Sequence, residues 1–393
     1  MGFTIEEAKK SAFEAKIKVI GVGGGGGNMI DHIVREGAIE ELENLELISA
    51  NTDAQALINS KAHTTIQLGE RTSGGLGAGA RPEMGKKSAE ESYEEITKVL
   101  DGANLVFISA GFGGGTGTGA APVIAKAAKE VGAFTIAIVT TPFKIEMKKR
   151  MNTALEGLKE LRKECDSIIV IPNEKLRSVA MKGAGIKDAF KIVDEVLCDA
   201  VSGMCAVILK SGESDINIDF NDVKTAMSHR GSSLLCMGKA SGEGSAQEAV
   251  KNATQSPLLD DIELKGARGL IANFKMHPSH PFDDVYEAME FLNGLIGDDG
   301  EDPDVFFGTW TDSKMPEDAV EVTIIATGLD GKEEKLDKPE PQKLQKTGTD
   351  DLFSSFYSTS PSRKVDLDKV DLDQPAYIRR QQDSGFLGNS RIP

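Results

Sequence analysis

A chain of 393 residues, 39% of them hydrophobic, is long enough for two globular domains with tails and apolar enough to build their cores. A net charge of −17 and only 5% aromatic residues argue against a broad cationic face for nucleic acid and against an aromatic platform for stacked bases. A phosphate-bearing ligand would instead be held by backbone N–H groups, helix ends and a few local cations.

From Lys16 to Cys165 apolar runs alternate with helical patterns. "IKVIGV", "LELISANT", "NLVFISA" and "FTIAIVTT" read as buried strands, and "DSIIVIPN" adds another. Between them "KSAEESYEEITKVLDG" reads as one amphipathic helix with a glycine stop. This alternation predicts an α/β, Rossmann-like domain over 13–187, with a parallel sheet covered on both faces. "IKDAFKIVDEVLCDAVSGMCAVILKS" is apolar on much of its circumference and predicts a long central helix over 188–212. Residues 213–329 mix helical segments with the strands "GLIANFKM" and "AVEVTIIATGL", a smaller α+β domain. Prolines and mixed charges over 330–370 predict a disordered linker. Within 371–393, Pro375, Tyr377 and Ile378 stand beside Arg379 and Arg380, the pattern of a docking peptide on a tether.

Cys165, Cys198, Cys205 and Cys236 show no C-x-x-C spacing, as expected of a reduced, cytoplasmic protein. His277 and His280 form H-x-x-H but are interrupted by Pro278 and followed by Pro281, so they share no helical face and no metal site is expected. No apolar run approaches the roughly 20 residues of a membrane span, so any membrane association is expected to go through a partner.

Three glycine clusters carry the chemistry. "KVIGVGGGGGNMID" contains G-x-G-x-x-G (Gly21, Gly23, Gly26) after a strand and before a helix, and a second strand ends in Asp53, close to a dinucleotide-binding fingerprint. "SGGLGAGARPEMG" is the second cluster and includes Gly79, and "ISAGFGGGTGTGAAPVIAKAA" is the third. Glycines let backbone N–H groups approach phosphate oxygens, and a following helix adds its positive end. Three such turns converging at one sheet edge would wrap a triphosphate, with Thr116 and Thr118 as further donors. No G-x-x-x-x-G-K-[ST] occurs, which removes the Walker A reading. A dehydrogenase and a nucleotide-binding scaffold without hydrolysis stand as alternatives at this point.

Gly113 to Gly119, "GGGTGTG", is the signature of the tubulin/FtsZ family, and "GVGGGGGN" resembles that family's first loop. The resemblance extends through "NTDAQAL", "GLGAGARPE", "TTPFKIEMKKR", "IPNEKL", "NIDFNDVKTAM" and "SPLLDDIELKGARG", and "LDQPAYIRRQ" resembles the family's tail peptide. It implies a self-polymerising GTPase that organises the division ring at mid-cell, with GTP or GDP as ligand and Mg2+ carried with it. By motif, Gly24, Gly25, Gly26, Gly27 and Asn28, with Gly115, Thr116, Gly117 and Thr118, would hold phosphates. Glu146 and Arg150 would contact ribose and phosphate, and Asn173 and Asp194 would read guanine. Without the resemblance, Glu146 and Arg150 are an ordinary (i, i+4) helix pair and Asp194 a solvated acid. The tail would dock a membrane-tethering adaptor such as the actin-like FtsA. Arg81 stands where the family commonly has Asn, Met147 and Cys236 where it has Gly, and Gln374 where the tail peptide has an apolar residue.

Hydrolysis needs a group that orients water, and the glycine loops contain no carboxylate. Asn217, Asp219 and Asp222 follow the long helix, which places them roughly 30 Å from a nucleotide held near the helix start. They are therefore expected to act on the nucleotide of the next subunit in a head-to-tail stack, the role the resemblance also implies. The competing reading is that Asp222 caps the following helix and Asp219 is solvated.

Overall fold

Period-two alternation sorts the strand side chains onto two buried faces. In β1 (Ile17–Val22), Ile17 and Val19 join one apolar cluster while Ile20 and Val22 join another. The structure, a computed structural model, describes residues 15–37, 44–176, 185–209, 215–229, 231–255, 264–297 and 303–329. The expected linker and tail peptide lie outside these.

After β1 come α1 (Gly23–Glu36), β2 (Leu45–Asn51), α2 (Ala54–Ile58), β3 (Thr64–Gln67) and α3 (Glu70–Ser73). The chain continues through α4 (Pro82–Glu91), α5 (Tyr93–Leu100), β4 (Leu105–Gly111), α6 (Thr116–Glu130) and β5 (Phe134–Thr141). A 3-10 turn (Lys144–Glu146) leads to α7 (Lys148–Glu164), β6 (Ser167–Pro172), α8 (Asn173–Leu176) and the long α9 (Ile186–Leu209). Then follow α10 (Phe220–Met227), β7 (Ser232–Ser241), α11 (Ser245–Thr254) and β8 (Gly269–Met276). The last elements are α12 (Phe282–Ile296), β9 (Asp304–Thr311) and β10 (Ala319–Leu329).

The strands form one sheet in the order β3-β2-β1-β4-β5-β6-β7-β10-β8-β9. Pairing is parallel from β3 to β6, which makes the expected Rossmann-like half. Among the described residues a parallel pair, Ile169 with Ser233, joins β6 to β7. Beyond it β10 runs antiparallel to both neighbours and β9 pairs parallel to β8, giving the smaller mixed half. Helices α1 and α9 cover one face of the parallel strands, and α5, α6 and α7 the other. The 24-residue α9 is about 36 Å long. It lies close against β10, because a Cβ on Gly203 would already stand 3.1 Å from Thr323 Oγ1.

One expected helix is two. "KSAEESYEEITKVLDG" breaks at Ser92, where α4 ends and α5 begins. Its hydroxyl accepts from Gly69 N (3.0 Å) and donates to Gln67 O (3.3 Å), so it serves the neighbouring loop instead of a continuous helix. Three strands also escape the apolar patterns. Both β3 and β9 lie at sheet edges, and most β9 side chains are only half-buried. In β7, serines, Gly238 and Lys239 dilute the apolar run.

Candidate nucleotide-binding site

The three glycine clusters touch one another at the carboxyl edge of the parallel strands. A Cβ on Gly23 would lie 3.0 Å from Gly117 N, and one on Gly25 would lie 3.3 Å from Gly111 N. One on Gly115 would lie 2.7 Å from Ala78 Cβ and 2.9 Å from Arg81 N. The loops after β1 and β4 are therefore in contact, and the 74–81 loop closes against the second of them. The hydroxyls of Thr52 and Thr116 are 2.6 Å apart and tie the end of β2 to the start of α6.

The glycines divide by what surrounds them. Gly26 and Gly119 are packing positions: an added Cβ would meet Ser109 O at 2.4 Å and Pro82 O at 2.0 Å respectively. Gly24 faces open space, with nothing within 4 Å of its Cβ direction. Gly27 would lie 3.4 Å from Ser49 Oγ, and Gly79 and its neighbours carry a left-handed turn (φ 56°). Thr118, placed among the phosphate donors by motif, is buried, and its Oγ1 accepts from Gly113 N (2.9 Å). It shapes the loop from inside. Asn28 is exposed on the first turns of α1.

Glu146 and Arg150 are tied to the same edge. Glu146 Oε1 accepts from Phe143 N (2.9 Å), and its other oxygen accepts from Arg150 Nη1. Arg150 Nε donates to Gly113 O (3.4 Å), which holds the guanidinium, half-exposed, against the glycine loop. Across β6, Asn173 begins α8 with its Oδ1 buried and, among the described residues, without a hydrogen-bond partner. A buried acceptor left open in this way asks for an outside donor. Asp194 sits on α9, where burial pushes its carboxyl up to about 6; Arg35 opposes the shift and Glu195 adds to it. Phe190, one helical turn before Asp194, is 42% exposed and rests edge-on against Phe143 at 5.4 Å. Sequence reasoning passed over this aromatic face; its one signal was the (i, i+4) spacing to Asp194.

Asp53, the acid that a dinucleotide fingerprint needs for ribose, is committed elsewhere. Its Oδ1 caps α2 by accepting from Gln55 N (2.9 Å) and Ala56 N (3.4 Å).

Residues 16–181 match the Tubulin/FtsZ family, GTPase domain, and residues 231–330 match the FtsZ family, C-terminal domain. The chain belongs to the tubulin/FtsZ family. It is 48% identical over 326 residues to the cell division protein FtsZ of Helicobacter pylori, a match covering 83% of each chain. With the FtsZ of Pseudomonas aeruginosa the identity is 42% over 367 residues, covering 93% of this chain and 89% of the relative. An FtsZ dimer of M. jannaschii superposes with a TM-score of 0.75 at 38% identity, covering 81% of this chain and 90% of that one.

The second group of candidate residues in this tubulin/FtsZ chain lies at the start of α10. Asp219 is the N-cap and accepts from Asp222 N (2.9 Å), while Asp222 reaches back to accept from Asp219 N (3.2 Å). The competing reading makes Asp222 the cap; here Asp219 is the N-cap and Asp222 completes the box, and each carboxylate keeps one oxygen outside it. Asn217 and Asp219 are exposed. The preceding residues are pinned to β9: Thr309 N donates to Ile216 O (2.9 Å), and Ile216 N donates to Thr309 Oγ1 (2.9 Å). Asp215 Oδ2 accepts from Thr311 N (3.2 Å). This loop sits at the carboxyl end of β9, seven strand steps from β1. The 24-residue α9 also intervenes in the chain between the glycine loops and this loop.

Proposed function

We propose that this tubulin/FtsZ-family chain binds GTP at the convergent glycine loops, assembles head to tail, and hydrolyses GTP with residues supplied by the neighbouring copy. Gly24 to Asn28 and Gly115 to Thr118 surround the phosphates through backbone N–H groups, with Gly79 closing the side and Arg150 supplying the local cation. Glu146 holds Arg150 and meets the ribose. Asn173 and the Asp194 carboxylate pair with the edge of guanine, and Phe190 offers its ring to the base. Mg2+, carried in with the nucleotide, would supply charge neutralisation at phosphates held by these backbone N–H groups and Arg150.

The observation that carries this reading is the mutual contact of the three glycine clusters around the open face of Gly24. The buried, unpartnered Asn173 Oδ1 supports guanine, whose N–H groups would satisfy it. A displacement titration tests it: GTP and GDP should displace a labelled guanine nucleotide, while ATP and NAD should fail at the same concentrations. Equal competition by ATP would overturn the assignment of Asn173 and Asp194.

Catalysis in trans follows from placement. Asp219 and Asp222 each keep an oxygen free to orient water, yet the length of α9 and seven strand steps separate them from their own nucleotide site. A head-to-tail stack brings them to the next one, and such a heterologous contact repeats into an open filament. Beyond the described residues, Pro375, Tyr377 and Ile378 would anchor the tail in an adaptor at the division site, the actin-like FtsA being the proposed partner, while Arg379 and Arg380 steer it.

A further inference from the structure

Two exposed apolar patches, each set in charge of one sign, lie one beside the glycine loops and one beside the Asp219 loop. The first is the segment after β5. Ile145 is 84% exposed and Met147 74% exposed, and Lys144, Lys148 and Lys149 around them all face solvent. Met147 adopts φ 78° and ψ 149°, a backbone region that glycine enters freely and other residues enter only under strain. With three-quarters of its surface in water, this side chain has little packing among the described residues to offset that strain. A strained, solvent-facing apolar residue is better explained by a contact made outside the chain.

The second patch is the start of α12. Phe282 is 62% exposed and Tyr286 56% exposed, one turn apart on the same face. Beside them opens a cavity of about 570 Å³ with Glu243, Glu287, Glu317 and Asp318 at its rim and no lysine or arginine in its lining. Within it, His280 is engaged by Asp284 (2.9 Å).

The second patch shares its end of the molecule with the Asp219 loop. Met276 O, at the end of β8 just before α12, accepts from Asp312 N (2.8 Å), and the adjacent Thr311 N donates to Asp215 (3.2 Å). The first patch shares its end with the glycine loops, through Glu146, Arg150 and Gly113. A head-to-tail stack that brings Asp219 to a neighbour's nucleotide therefore brings the two patches to the same junction.

We propose that Ile145 and Met147 of one copy seat against Phe282 and Tyr286 of the next, with Lys148 and Lys149 facing the carboxylates of Glu287 and Glu317. The occupant of the α12 face is a second copy of this chain because apolar area meets apolar area and the charges are of opposite sign. The inference rests on the head-to-tail reading above and names the side chains that hold the junction. Glycine at position 147 would relieve the strain and lose the apolar contact, so Met147 trades stability of the single chain for assembly.

The test uses the full chain and reads the critical concentration of GTP-dependent assembly by sedimentation. Lys148→Glu with Lys149→Glu, or Glu287→Lys with Glu317→Lys, should each raise it about tenfold or more through lost attraction and new repulsion. All four changes in one chain should restore it to within about threefold. Mixing the two double variants should restore assembly as an alternating copolymer, because each end of one variant then meets the opposite charge on the other. Met147→Gly should raise both the critical concentration and the melting temperature while leaving GTP affinity unchanged. If the wild-type chain fails to assemble with GTP, the head-to-tail reading itself falls. If it assembles and either charge-reversed pair behaves as wild type, or the fourfold variant is not restored, this junction is wrong and the filament reading stands.

Discussion

Replacing the Asp194 carboxyl by an amide is the sharpest probe of the base pocket. Burial raises this carboxyl to about 6, so its ionised fraction falls about tenfold between pH 7 and pH 5. Guanine presents two N–H donors, and only the carboxylate accepts both. Guanine-nucleotide affinity should therefore weaken about tenfold over that range, or about 1.4 kcal/mol. The terminal phosphate of the nucleotide titrates nearby, so the quantity to compare is the ratio of wild type to Asp194→Asn at each pH, measured by calorimetry with GDP. At pH 7 the Asn variant should bind about 10- to 100-fold more weakly, the worth of a charge-assisted hydrogen bond, and by pH 5 most of that gap should close. The free proteins supply an independent sign. A carboxyl raised by burial stabilises the fold least when ionised, so this contribution is present below the ordinary carboxylate range and lost as pH rises through about 6. Unliganded Asp194→Asn should accordingly melt above wild type at pH 7 and with it below pH 4. A wild-type to variant affinity ratio that stays constant from pH 5 to pH 7 would refute guanine reading by this carboxylate.

Gly119→Ala should lower stability by about 1–3 kcal/mol in thermal or denaturant melts, since the new Cβ would meet Pro82 O at 2.0 Å; an unchanged melt would mean that α4 and α6 are not held that close. Asp222→Ala should bind GTP as wild type does but hydrolyse it about 100-fold or more slowly, as expected for loss of a group that orients the attacking water; turnover within threefold of wild type would remove Asp222 from the reaction. A chain ending at Leu329 should assemble with GTP yet lose capture by the membrane adaptor, and failure to assemble would place the tail in the polymer contact.

The parallel half of the sheet was legible because its strands are buried on both faces and read as continuous apolar runs, from "IKVIGV" to "DSIIVIPN". The edge strands β3 and β9 were not, since exposure on one side removes that signal. The break at Ser92 depends on Gln67 and Gly69, which no helical periodicity reports. Among the site residues, the loops announced themselves through composition, but composition did not divide the packing glycines Gly26 and Gly119 from the open Gly24. Glu146 with Arg150 looked like a helix pair, and the pair exists; its meaning comes from the Arg150 contact with Gly113, which spans 37 residues. Asp194 carried no local signal, because burial on a long helix depends on what packs over it. The pinning of residues 215 and 216 to Thr309 and Thr311 joins segments more than 90 residues apart and had no trace in either.

The central claim is that the Asp219 loop of one copy completes the nucleotide site of the next. Its most direct measurement is GTP hydrolysis per molecule across a dilution series, with assembly followed by sedimentation in the same samples. Below the critical concentration turnover should be close to nil, and above it the rate per molecule should rise steeply with the assembled fraction. A dilute, monomeric preparation that turns over GTP at the same rate per molecule as a concentrated, assembled one would contradict it.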